Sequence, residues 1–98
     1  MTNQQILKLL KTYATKLQSL GYTPVESDHT LYLDPFAPES QTISFNNILD
    51  MLPKINEFLS SGDPEKVRKA DRWLGFVQGV LWRNGENNLL ELRNHNRS

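Results

Sequence analysis

The chain contains no cysteine and only two histidines among its 98 residues, His29 and His95. Without cysteine there is no disulfide and no thiolate ligand, and two histidines 66 positions apart do not form the clustered ligand set of a metal site. We therefore expect no metal and no cofactor. A domain of this length without crosslinks depends on one small hydrophobic core, so we expect its margin of stability to be thin.

Long apolar runs are also missing. No stretch of the sequence approaches the ~20 apolar residues that a membrane span requires. The first residues lack the basic region and apolar run of a signal peptide. Together with the lack of cysteine, this predicts a protein of a reducing cytoplasm that has no membrane partner.

The charges balance, with 11 basic and 11 acidic residues and a formal net charge of zero. A protein that holds nucleic acid by bulk electrostatics needs an excess of basic residues, so nucleic acid is disfavoured as a partner. The balance hides a segregation, since residues 1–25 contain no acid and residues 26–50 contain no lysine or arginine. These segments either neutralise one another within the fold or bring copies together head to tail through unlike patches.

No arrangement of residues that is typical of catalysis occurs in the sequence. The isolated glycines do not make a phosphate-binding loop, and no serine is paired by its position with a histidine that could activate it. We therefore predict that the protein is not an enzyme and that it acts by binding.

The spacing of the apolar residues predicts a mostly α fold, a small bundle in a single domain over residues 1–98. Three main helices are predicted over residues 2–20, 44–60 and 63–83, with a short last helix near residues 88–93. Residues 22–41 are rich in proline and turn-forming residues, and they predict either a short β-ribbon or an extended insert.

Proline gives two further expectations about the helices. Pro53 lies inside the second helix, where it removes one backbone hydrogen bond, so we expect either a kink or two shorter helices there. Asp63 followed by Pro64 is a strong start signal for the third helix, because aspartate caps the first amides and proline suits the first helical position. The tail from His95 to Ser98 is polar, and we expect it to be frayed.

The third helix carries an unexpected second face. Its core stripe is predicted to consist of Ala70, Trp73, Leu74, Val77, Val80 and Leu81. The opposite face should be polar if it meets water, yet it carries two glycines and a tryptophan beside two arginines. We name this the outer face of the third helix and define it by Arg68, Arg72, Gly75, Gly79 and Trp82.

Two glycines inside a helix are costly, since each destabilises the helix by about 0.8–1.0 kcal/mol relative to alanine. Gly75 and Gly79 form a notch that lets another backbone or ring approach closely. Two interpretations of this notch are open. Either another helix of the same chain fills it, or the outer face is a partner-binding surface, with Arg72 and Trp82 as the contact residues that interfaces favour.

Two segments carry a resemblance to a known family. The run KADRWLGFVQGVLW, residues 69–82, and the ending ELRNHNR, residues 91–97, resemble a family of small bacteriophage and prophage proteins with an Arg-Trp-Leu-Gly-Phe-x-Gln-Gly core. The similarity extends over residues 66–97 and is weaker over residues 11–26, while residues 86–88 depart from the family's pattern. The resemblance implies a virus-encoded accessory protein in a bacterial cytoplasm, and it brings no functional residues with it.

Three functions follow as expectations. The leading one is a phage protein that binds and inhibits a host protein, such as a defence or regulatory factor, in a stoichiometric complex. The second is an oligomeric sponge that sequesters a small anionic signalling nucleotide, with Arg72 and neighbouring lysines as anion contacts. The third is a virion or DNA-packaging component. The expected partners are accordingly a host bacterial protein and further copies of the chain.

Overall fold

Helices make up most of the chain. The computed structural model describes residues 2–96, which form the four helices α1 (Asn3–Ser19), α2 (Pro38–Ser60), α3 (Pro64–Arg83) and α4 (Leu89–Asn96). The described residues contain no β-strand, so the predicted mostly α bundle is confirmed. Among these helices, none is both long enough and apolar enough to cross a membrane.

Local side chains cap α1 and α3 at the predicted positions. At the start of α1, the Gln5 amide donates to Thr2 Oγ1 over 3.2 Å while the Gln5 side chain accepts from the Thr2 amide, which makes a complete capping box. At the start of α3, the Glu65 amide donates to Asp63 Oδ1 over 3.0 Å, and Pro64 occupies the first turn. The start of each of these two helices is therefore determined by residues close to it in the sequence.

Helix α2 begins at Pro38, six residues before the predicted start at Ser44. Proline is favoured in the first helical turn because its missing amide hydrogen has no helical partner there. Glu39 places a negative charge in the same turn, where the helix dipole favours it. The same Pro-Glu signal predicts the start of α3, and the prediction for α2 was wrong because it overlooked this signal.

The segment before α2 is an extended insert, so the predicted alternative of a β-ribbon is wrong. Its first part is hydrogen-bonded to α2 instead of to a second strand. The Val25 amide donates to the Asn46 carbonyl over 3.0 Å, and the Thr23 amide donates to Asn46 Oδ1 over 3.1 Å. Helix α2 therefore takes up the backbone donors that a ribbon would have used.

Helix α2 runs without interruption through Pro53, so the alternative of two shorter helices is also wrong. It packs against both α1 and α3. Its buried stripe forms the centre of one hydrophobic cluster to which all three long helices contribute. The fully buried side chains of this cluster include Tyr13, Leu17, Phe45, Ile48, Ile55, Val77 and Leu81.

Helix α4 continues through His95 and Asn96, three residues beyond the predicted end at Arg93. The expected fraying is therefore wrong for these two residues, while Arg97 and Ser98 lie outside the described residues. Both side chains are tied to the bundle. The Tyr13 hydroxyl lies 2.9 Å from Nδ1 of His95, and Gln78 and Asn96 exchange a reciprocal pair of amide hydrogen bonds of 3.0 and 3.2 Å.

Candidate functional site

The five residues predicted for partner binding lie on one exposed stripe of α3. They follow one another at intervals of four, three, four and three residues, which is the spacing of a straight helical seam. All five are exposed to solvent, and the large indole of Trp82 is 50% exposed. The outer face of α3 is therefore a surface of the described chain and not part of its core.

The two glycines of this stripe meet open space. A Cβ atom built on Gly75 or on Gly79 would find no other described part of the chain within 4 Å. The interpretation that an internal helix fills the notch is therefore wrong. Helices α1 and α2 lie on the other side of α3, where Ala70, Leu74 and Val77 join the hydrophobic core.

This openness gives a first testable result. We expect the double variant Gly75→Ala, Gly79→Ala to raise the free energy of unfolding by about 1–2 kcal/mol, because alanine favours the helical state and meets no neighbour at either position. Chemical denaturation measures this directly. Unchanged or lower stability would mean that the glycines serve the fold itself and would weaken the case for a binding surface.

Phe76 belongs to this surface, although the sequence analysis did not single it out. It follows Gly75 directly, and its ring is 58% exposed. On the helix it lies at the edge of the glycine notch, so two large aromatic rings, those of Phe76 and Trp82, border a floor of bare backbone. The missed signal was a phenylalanine outside the predicted core stripe of an amphipathic helix.

Three of the four basic residues near the start of α3, Arg68, Lys69 and Arg72, divide into two groups. The Nζ atom of Lys69 lies 5.0 Å from the ring centroid of Phe58 and 5.2 Å from that of Trp73, within the range of a cation–π contact. Arg68 and Arg72 lie on the outer face, and neither forms an ion pair with a described residue. These two arginines therefore keep their donors available to a partner.

A cavity of about 460 Å³ opens beside the outer face, between residues 26–31 and helices α2 and α3. Trp73 and Phe76 line it with aromatic rings. Its lining also holds the carboxylates of Glu26, Asp28 and Asp50, together with Lys54, whose Nζ lies 2.8 Å from Asp50 Oδ2. The hydrogen bonds that Asp28 accepts from Thr30 hold the pKa of its carboxyl below the ordinary value, so it is ionised at neutral pH. Glu26 and Asp28 form no ion pair with a described residue, so these two carboxylates could accept a basic side chain from a molecule that docks on α3.

The rest of the insert adds apolar surface. The rings of Tyr32 and Phe36 are 97% and 91% exposed, and Leu31 and Leu33 are exposed as well. Contiguous exposed apolar residues are uncommon on a protein that works alone and mark places where another molecule docks. The insert is therefore a second surface of the described chain, besides α3, that exposes large apolar side chains.

In residues 2–96, no three metal-binding side chains come together. The buried Tyr13 and Gln78 are bonded to each other and to α4, away from the outer face. No family model matches the chain, and no curated protein and no solved structure matches it either.

Proposed function

We propose that this chain is a phage-encoded accessory protein that binds a host bacterial protein, a defence or regulatory factor, in a stoichiometric complex and thereby inhibits it. The outer face of α3 is the contact surface. The observation that carries the proposal is the open glycine notch between two exposed aromatic rings, because a small domain gives up nearly 2 kcal/mol of helix stability to keep it.

The shape of the notch indicates the kind of partner. Between Phe76 and Trp82 the backbone of α3 is exposed and recessed. A protruding helix or strand can contact it there, whereas a flat surface would make few contacts. Arg68 and Arg72 lie at one end of the face with free donors, so the partner segment carries carboxylates at that end. Glu26 and Asp28 in the cavity beside Phe76 can pair with a basic residue of the partner. A protein segment with both charges fits this pattern.

The test is the loss of binding in a Trp82→Ala variant. We expect this change to weaken capture of the host protein by more than ~2 kcal/mol, about 30-fold in Kd, because tryptophans at the centre of an interface contribute most of its binding energy. The melting temperature should change little, since half of the indole is already exposed. The assay is quantitative pull-down from a bacterial lysate, followed by titration of the captured protein.

Leu20→Ala is the matched control, because Leu20 is 54% exposed but lies at the end of α1 and not on α3. It should leave capture unchanged. If Trp82→Ala and Leu20→Ala retain the same host protein equally well, the outer face of α3 is not the contact surface.

A second candidate is the oligomeric sponge for a small anionic nucleotide. A depression of about 390 Å³ at the start of α3 brings Lys66, Arg68, Lys69 and Arg72 to one place, and this supports anion binding there. Asp63 and Glu65 line the same depression and oppose it. For this function Arg72→Ala should abolish retention of the nucleotide, whereas Trp82→Ala should act only through assembly. Mass spectrometry of small molecules released from the purified protein distinguishes the two candidates.

A further inference from the structure

Four residues of the outer face of α3, namely Arg72, Gly75, Gly79 and Trp82, are spaced symmetrically about one point of the helix. Their midpoint lies at the level of Val77, with the two glycines two residues away on either side. Arg72 lies five residues before the midpoint and Trp82 five residues after it, each about 7.5 Å along the helix axis. When two copies of a helix pair antiparallel across a two-fold axis at this midpoint, residues equally far from it on either side lie at the same level, and each contact occurs twice.

We propose that a second copy of this chain covers the outer face of α3 through an antiparallel helix pair centred on the glycine notch. In this arrangement Gly75 of one copy lies opposite Gly79 of the other. Neither glycine has a side chain and both meet open space within their own chain, so the two backbones can approach closely.

The same arrangement pairs the two contact residues. Arg72 of each copy lies opposite Trp82 of the other, so each exposed indole receives a guanidinium that has no ion pair within the described part of its own chain. This pair is a cation–π contact, and it occurs twice in the dimer. Phe76 lies one residue from the midpoint, so the two exposed phenylalanine rings lie beside the symmetry axis and cover the notch from the side.

A parallel pair is disfavoured by charge. It would place Arg68 opposite Arg68 and Arg72 opposite Arg72, so like charges would meet at two levels while the tryptophans met each other. The antiparallel pair separates these arginines and gives one of them an aromatic partner. The electrostatics of the stripe therefore select the direction of the second copy.

The inference rests on the proposed function in one respect, since it uses the same face as the contact surface. When no host protein is present, a second copy of the chain occupies that face. A host protein that binds the outer face must then displace the second copy, so the dimer is the resting form and the monomer is the form that binds.

The test exchanges the two paired residues in the full chain. Sedimentation velocity and light scattering should show a concentration-dependent species of twice the 11.3 kDa mass of the monomer. Trp82→Arg places two arginines opposite each other, and we expect dimerisation to weaken at least about tenfold. The double variant Arg72→Trp, Trp82→Arg restores an arginine opposite a tryptophan, and the dimer should recover. Leu20→Arg adds the same charge away from the face and should leave the dimer unchanged.

Circular dichroism of each variant shows that the helices remain. A wild-type chain that stays monomeric at high concentration overturns the inference, and so does a folded double variant that fails to recover the dimer. The two proposals can fail separately. If the wild-type chain is monomeric and captures a host protein through Trp82, only the dimer proposal is contradicted. If the double variant recovers the dimer but Trp82→Ala leaves capture unaffected, only the proposed host contact is contradicted.

Discussion

Tyr13→Ala is expected to lower the free energy of unfolding by about 3–5 kcal/mol, which is enough to unfold much of a domain with a thin margin. Tyr13 is one of the largest fully enclosed side chains and is only 2% exposed. Its removal leaves a cavity between α1 and α3 that the surrounding side chains fill only in part. Chemical denaturation followed by circular dichroism measures the loss.

The hydroxyl of Tyr13 adds a second contribution, because it connects three helices. It accepts a hydrogen bond from Gln78 Nε2 over 3.2 Å and lies 2.9 Å from Nδ1 of His95, to which it donates when that nitrogen carries no hydrogen. Burial raises the pKa of this hydroxyl above its ordinary value, against the smaller opposite effect of the bond from Gln78, so it stays protonated and able to donate. Helix α4 is held to α1 and α3 through this network.

Tyr13→Phe separates the two contributions. It keeps the ring in the core and removes only the hydroxyl, so we expect a smaller loss of about 1–2 kcal/mol, because Gln78 retains its bonds to Asn96. Hydrogen exchange should show faster opening of α4 while the other helices keep their protection. Equal losses for the two variants would contradict the assignment of most of the energy to the packed ring.

Pro53→Ala is expected to raise the free energy of unfolding by about 1–3 kcal/mol. Pro53 lies inside α2, which continues through it, and proline in a helix interior is about 3 kcal/mol less favourable than alanine. Part of this gain is offset because the ring lines an apolar depression with Leu7 and Leu10 of α1. Thermal and chemical unfolding both report the change.

Pro38→Ala is the matched control within the same helix. Pro38 occupies the first turn of α2, where proline is favoured. Its replacement should leave the stability unchanged or reduce it slightly. A fall in stability for Pro53→Ala would show that the apolar surface that the ring adds to this depression outweighs the missing backbone hydrogen bond.

The two sides of α3 differ in what covers them. The Tyr13 network and the cluster around Phe45 hold the bundle together on the inner side of α3, while the outer side of the same helix carries surface that the described fold leaves uncovered. Substitutions on the inner side should therefore act on stability, and substitutions on the outer face should act on binding. Stability and binding are expected to conflict at Gly75 and Gly79. Alanine at both positions should raise the free energy of unfolding, but it would also fill the notch.

The sequence alone determined what depends on neighbouring residues. The apolar spacing placed three main helices, and Thr2 and Asp63 marked the starts of α1 and α3, because a cap and the turn that it satisfies lie within three residues of each other. The same periodicity put Arg68, Arg72, Gly75, Gly79 and Trp82 on one stripe. The partner-binding role of that stripe stays a prediction.

Only the tertiary structure decided what depends on residues far apart in the chain. The burial of Gln78 and the length of α4 follow from bonds that join residues 65 and 82 positions apart, which no local pattern contains. The insert stays extended because Asn46 of α2 takes up its donors, 21 and 23 residues away. The glycines are open because α1 and α2 pack on the other side of α3. The periodicity of one helix identifies two faces, but only the packing of its neighbours determines which face is left to a partner.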